Sequence, residues 1–144
     1  MEWNNTSPDE RIRLWKNFRS SIRETSEIEQ ATATAMFFFQ VPIQYKPTID
    51  FYTPSSWPTP WEILYGDNWC KNTISILMYH TFEMIGTPVE LVLIDDTNDR
   101  YLVPRLNTQI VLNYELGKIS KIHDIVPEIR IIEVHTSNTL KNIK

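Results

Sequence analysis

The chain has 144 residues, of which 42% are hydrophobic and 22% charged, and its net charge is -4 at pH 7. This composition predicts one globular domain with its own core and excludes an intrinsically disordered chain. No apolar run approaches the roughly 20 residues needed to span a bilayer. The negative charge also argues against nucleic acid as a partner.

Two features indicate where the protein is located. The first residues are polar and acidic, unlike a secretory signal, and a single cysteine cannot form an internal disulfide. We therefore expect a reducing, cytoplasmic location and no contact with a membrane.

Cap signals predict two helices in the N-terminal third. Ser7 is an N-cap residue followed by Pro8 at the first helical position, and an apolar residue then recurs every three or four positions. Ser26 repeats the signal and starts a second helix through about Met36. The run 37–39 is three consecutive phenylalanines, which cannot all face one core.

Five prolines between residues 42 and 60 exclude a helix there and favour an extended segment. At its end Thr59 is a predicted cap, Pro60 takes the first helical position and Glu62 completes a capping box. This pattern predicts a short helix that ends near Gly66.

The best-patterned helix begins near Cys70 and stops at Gly86, with Asp67 or Asn68 as its predicted cap. One face carries Cys70, Ile74, Leu77, Thr81 and then Met84 or Ile85.

After Gly86 the hydrophobic period changes to two, which predicts strands. The predicted strands cover 89–94, 100–103 as far as Pro104, 109–114, a segment after Gly117, and 128–134. The acidic segment 95–99 is a hairpin turn, since it lacks the glycine and terminal glutamate of a calcium loop. Helices followed by a mostly antiparallel sheet of four to five strands make an α+β domain over 1–135, with a polar tail over 136–144 that we expect to fray.

Cys70 is the residue with the clearest chemical potential. A thiol in the first turn of a helix feels the positive end of the macrodipole, which favours the nucleophilic thiolate. The same residue lies on an apolar stripe, and a buried cysteine that fills a small core space is the alternative interpretation.

A helix with Cys in its first turn, followed by a meander of strands, resembles the core of transglutaminase-like cysteine peptidases of the papain-like group over residues 67 to about 120. The resemblance implies Cys70 as nucleophile. It places Tyr101 where that family has its histidine and Asn113 where it usually has aspartate. Tyrosine keeps its proton at neutral pH, so the resemblance implies a core whose catalytic set has decayed.

Another histidine would be needed to make Cys70 catalytic. His80 lies ten residues further along the same helix, about 15 Å along its axis, which excludes it. His123 or His135 remains as an alternative base if it returns to the helix N-terminus. His80 and Glu83 share a helix face but have no second pair of ligands, so no metal and no cofactor is expected.

We therefore expect a non-catalytic module that binds a protein partner or assembles with itself. The aromatic surplus indicates the contact residues, with Trp57, Trp61, Trp69 and Phe38 as candidates. The composition, rich in Ile, Asn and Lys, also resembles that of tailed-phage accessory or virion-assembly proteins. Two alternatives are an active cysteine hydrolase or acyltransferase that uses Cys70, and a small-molecule binder with an anion site at the helix N-terminus.

Overall fold

The computed structural model describes residues 3–44, 49–67 and 69–141. Within these residues it has six α-helices and one five-stranded sheet, which confirms the predicted α+β class. The helices are α1 Pro8–Ile22, α2 Glu27–Phe38, α3 Pro60–Tyr65, α4 Lys71–Met84, α5 Ile122–Ile125 and α6 Ser137–Lys141. The strands are β1 Glu90–Asp95, β2 Arg100–Leu106, β3 Ile110–Leu112, β4 Ile119–Lys121 and β5 Arg130–His135.

The predicted caps of the first three helices are confirmed. The Ser7 hydroxyl accepts the amide hydrogen of Glu10, and the Ser26 hydroxyl accepts that of Glu29. Thr59 and Glu62 form a complete capping box at the start of α3. These bonds satisfy amide groups that the first helical turn leaves without partners.

Helix α2 runs to Phe38, two residues beyond its predicted end. Phe37 stacks on Phe18 with ring centroids 4.2 Å apart, and Phe38 is buried. Because both rings have partners inside the protein, packing continues the helix through the phenylalanine run. Phe39 is the member of the run that stays on the surface, with 61% of its area exposed.

All neighbouring strands are antiparallel, in the order β4-β3-β2-β1-β5. The hairpin turn predicted at 95–99 joins β1 to β2. Strand β2 was predicted to end before Pro104, and that boundary is wrong because Pro104 lies in the strand opposite Leu91. Strand β3 pairs with Arg105 and Leu106, so Pro104 lies beside the end of that ladder, where a missing N–H is tolerated.

The sheet separates two cores. Helix α4 packs on one face and, with α1, α2 and α3, encloses the main core. The opposite face carries a smaller core, which the segment around α5 covers. Its buried members are Val92, Ile94, Tyr101, Val103, Val111 and Ile125.

The expectation of a frayed tail is wrong for 137–141, which forms α6. The amide of Thr139 donates to the Thr136 hydroxyl, and the amide of Thr136 donates to the Thr139 hydroxyl. Leu140 packs against the main core. Reciprocal capping together with one apolar contact holds this short helix.

In the described part of the chain, no helix combines the length and apolar character that crossing a membrane requires.

Candidate functional site

A hydrogen-bond network fixes the N-terminal end of α4 against the sheet. The side-chain oxygen Oδ1 of Asn72 accepts a hydrogen bond from the backbone amide of Leu102 at 2.9 Å, and the Ser75 hydroxyl donates to the Leu102 carbonyl at 2.7 Å. From the end of β3, the Asn113 amide donates to the Ser75 hydroxyl at 2.8 Å and to the Lys71 carbonyl at 2.9 Å. Three segments of the chain therefore meet at Cys70 and its neighbours.

Cys70 is itself the N-cap of α4, which corrects the predicted cap at Asp67 or Asn68; Asn68 lies outside the described residues. Its sulfur accepts the amide hydrogen of Thr73 at 3.4 Å, and the Thr73 hydroxyl accepts the Cys70 amide at 3.0 Å. The residue is only 1% exposed. The thiol therefore lies at the helix start as predicted, but it acts there as a buried capping group.

Tyr101 occupies the start of β2, where the resemblance requires histidine. Its hydroxyl donates to the Asp96 carboxylate at 2.9 Å. Burial, reinforced by the Asp96 charge, raises the pKa of Tyr101 far above its usual range. The phenol therefore stays protonated and cannot accept a proton from a thiol at neutral pH.

Lys71 is a site residue that the sequence interpretation missed. Its ammonium lies 4.1 Å from the centroid of the Tyr101 ring and donates to the Tyr114 carbonyl at 2.9 Å. Burial lowers the pKa of Lys71, while the charges of Asp96, Asp99 and Glu115 act in the opposite direction. The sequence signal for Lys71 was its position directly after Cys70, at the start of the predicted helix.

Asn113 lies where the resemblance places aspartate or asparagine. Its backbone φ is +64°, a left-handed conformation that asparagine tolerates better than most residues. Both hydrogen bonds of its side-chain nitrogen go to α4, so here the amide holds the helix.

The structure places the three histidines in other surroundings. His80 lies near the far end of α4, with Nδ1 3.9 Å from Glu83. His123 is on the surface, with its side chain 74% exposed and Nε2 3.2 Å from Asp124.

His135 ends β5, packed edge-on against Trp57. It pairs with Leu91, whereas Tyr101 pairs with Ile94, three residues along β1. Three residues of a strand span about 10 Å, so His135 lies toward the other end of the sheet from Tyr101.

The candidate binding aromatics are mostly part of the main core. Trp57, Trp69 and Phe38 are buried, whereas Trp61 is 45% exposed and packs edge-on against Trp15. The surplus of aromatic residues therefore fills the interior, and a partner would meet Trp61 more readily than the other three.

The sequence matches no protein-family profile and no curated protein. The fold, by contrast, is similar to that of LapG from Legionella pneumophila. The calcium-bound form is 18% identical, the match covers 94% of this chain and 82% of that chain, and the TM-score is 0.73. A second LapG structure is 16% identical, with 95% and 88% covered and a TM-score of 0.72. The EGTA-treated form is 18% identical, with 92% and 78% covered and a TM-score of 0.71.

LapG has a transglutaminase-like cysteine protease fold. At these identities the likeness concerns the fold alone. It gives no support to a phage accessory role.

Proposed function

We propose that this chain is a non-catalytic protein-interaction module built on a degenerate transglutaminase-like core. The observation that carries the proposal is that the position to which the resemblance assigns the catalytic histidine holds Tyr101, whose hydroxyl donates to Asp96 and whose ring centroid lies 4.1 Å from the Lys71 ammonium. A nucleophile and its base must come within hydrogen-bond reach, and this position holds a phenol that keeps its proton. Burial of Cys70 supports the same conclusion, because a substrate has to reach the sulfur.

LapG has been described in calcium-bound and EGTA-treated forms, so we asked whether residues of this chain could hold a calcium ion. Among the described residues of this chain, no group of three or more His, Cys, Asp or Glu side chains could hold a metal ion. In the acidic turn, Asp95 pairs with Arg100 and Asp96 accepts hydrogen bonds from Tyr101 and the turn's own amides. These residues do not fit a calcium site, and the proposed function includes none.

The surface that we propose for a partner is the outer side of α2, where Ile28, Met36 and Phe39 are 49%, 62% and 61% exposed. Phe39 packs close to Gly117, next to Leu116, which is 40% exposed. Apolar side chains grouped on one surface are typical of interaction sites. Protein partners and self-assembly both fit this surface, while the phage virion role stays a prediction that the fold does not address.

The catalytic half of the proposal is tested by the pH dependence of Cys70 alkylation with iodoacetamide, read by mass spectrometry. We expect wild type and Tyr101→Phe to react alike and slowly, with the rate rising only near or above the ordinary thiol pKa of about 8.5. The alternative, an active cysteine hydrolase or acyltransferase, predicts an apparent pKa below about 7. It also predicts that His123→Ala or His135→Ala removes this shift, and that result would overturn the proposal.

Self-assembly through the outer side of α2 is tested by light scattering over a range of protein concentrations. We expect the mass of wild type to rise with concentration and Met36→Glu to stay monomeric. Ile131→Glu is the matched control, since Ile131 is also exposed but lies on β5. A wild type that stays monomeric at high concentration contradicts self-assembly through α2.

A further inference from the structure

A cavity of about 130 Å³ lies at the C-terminal end of α4, away from Cys70. Its walls come from four parts of the chain: the segment before α3, helix α4, strand β1 and helix α6. The side chains that matter for its chemistry are Trp57, Tyr79, His80, Glu83, Leu91 and Leu140.

Most of the wall is apolar and well anchored. Leu91 and Tyr79 are buried at 0% and 1% exposure, and Trp57 at 8%. The indole nitrogen of Trp57 donates to the Asp50 carbonyl at 2.7 Å, which fixes the ring. An apolar cavity of roughly 150 Å³ accommodates a benzene ring. The space therefore suits one small ring or an aliphatic group of that size.

The polar groups of the cavity converge on one carboxylate. The Tyr79 hydroxyl donates to Glu83 Oε2 at 2.8 Å, and His80 Nδ1 lies 3.9 Å from Glu83 Oε1. Among the described residues that line the cavity, Glu83 is the one carboxylate, and no lysine or arginine lines it. Glu83 therefore supplies a negative charge at this site and is held in place by the Tyr79 hydroxyl, with the His80 imidazole beside it.

We propose that this cavity binds a small organic cation, an amine on an apolar body about the size of a benzene ring, with its ammonium group on Glu83. An ammonium donates charge-assisted hydrogen bonds to a carboxylate, and the electron-rich rings of Trp57 and Tyr79 favour a cation near them. The negative net charge of the chain attracts such a ligand and disfavours an anion. This site is separate from the Cys70 end and does not depend on whether Cys70 is reactive.

The test is an NMR titration of the full chain with benzylamine, with benzyl alcohol and phenylacetate as the neutral and anionic ligands of similar shape. We expect benzylamine to shift the Trp57 indole and the amides around His80 and Glu83, and to bind at least about tenfold more tightly than benzyl alcohol. Phenylacetate should bind more weakly than either.

Variants separate charge from shape. Glu83→Gln keeps the size of the side chain and an acceptor for Tyr79, and it should weaken benzylamine binding at least about tenfold. Leu140→Phe fills the cavity and should abolish binding. Glu115→Gln removes an exposed carboxylate that does not line the cavity and should leave the affinity unchanged.

Four results would overturn the proposal. They are no shift at millimolar benzylamine, shifts that map away from the cavity, benzyl alcohol binding as tightly as benzylamine, and full affinity in Glu83→Gln.

Discussion

The two ends of α4 differ in the way that matters for chemistry. At the N-terminal end Cys70 is buried, and the polar side chains around it are hydrogen-bonded to the backbone of β2 and to the side chain of Asn113, which follows β3. At the C-terminal end a carboxylate faces a cavity with space for a ligand. The start of α4 therefore carries a buried thiol, and its end carries the carboxylate on which we propose that a ligand binds.

A fold does not by itself determine an activity, because activity depends on the groups present at the site. The helix start supplies a cap site whether the residue there is a nucleophile or a structural group. The pairing of β1 with β2 likewise fixes the position of the residue at the start of β2, whatever its side chain. Reactivity needs access and a base in addition.

The largest effect on stability is expected from a substitution of Asn113, which is hydrogen-bonded to the N-terminal end of α4. Asn113→Ala removes the hydrogen bonds to Lys71 and Ser75. It also puts alanine at φ +64°, a left-handed conformation that alanine tolerates less well than asparagine. We therefore expect a loss of about 2–4 kcal/mol in the free energy of unfolding. Asn113→Gly tolerates that conformation and should lose about 1 kcal/mol less. Urea unfolding measures both variants. If both variants lost the same free energy of unfolding, the left-handed backbone conformation would contribute nothing to the cost of the alanine substitution.

A smaller effect is expected at Cys70. Cys70→Ala removes the acceptor for the Thr73 amide and should cost about 1 kcal/mol, whereas Cys70→Ser keeps an acceptor and should stay near wild type. Glu83→Gln, at the C-terminal end of α4, is the control and should change the free energy of unfolding by no more than about 0.5 kcal/mol. If serine were as destabilising as alanine in urea melts, the sulfur would not act as a cap.

The smallest effect on stability is expected in the acidic turn 95–99, where Asp96 accepts a hydrogen bond from Tyr101. Burial acts to raise the pKa of Asp96, but hydrogen bonds from Asp99, Tyr101 and Asn98 together lower it below its usual value. A lowered carboxyl pKa contributes stability above the unfolded-state value near 4, and this contribution is lost as the pH falls through the folded-state value.

Asp96→Asn should therefore make the urea midpoint depend less steeply on pH between about 5 and 3 than in wild type. An unchanged slope in that range would contradict the assignment of this stabilisation to Asp96.

Local signals in the sequence were sufficient for most of the fold. Ser7, Ser26 and Thr59 mark helix starts because a cap is a contact over three residues, which a sequence displays directly. Boundaries set by tertiary contacts were missed. Helix α2 extends because Phe37 and Phe38 pack inside, and α6 forms partly because Leu140 reaches the main core.

The candidate site likewise has features that local sequence signals predicted and features that depend on tertiary contacts. The positions of Cys70 at a helix start and Tyr101 on the returning strand followed from periodicity. The contacts of Lys71 and the cavity around Glu83 depend on residues that are distant in the sequence, such as Tyr114, 43 positions after Lys71, and no local pattern contains them. Whether Trp61 meets a partner stays a prediction for the same reason.

The most direct test of the central claim is the rate of Cys70 alkylation in wild type as urea is raised, compared with the unfolded fraction of the same samples. If Cys70 is a sealed capping group, it reacts only from opened molecules, and its rate should rise in parallel with the unfolded fraction. Rapid alkylation at neutral pH without urea, at a rate unaffected by unfolding, would contradict this account and restore Cys70 as a working nucleophile.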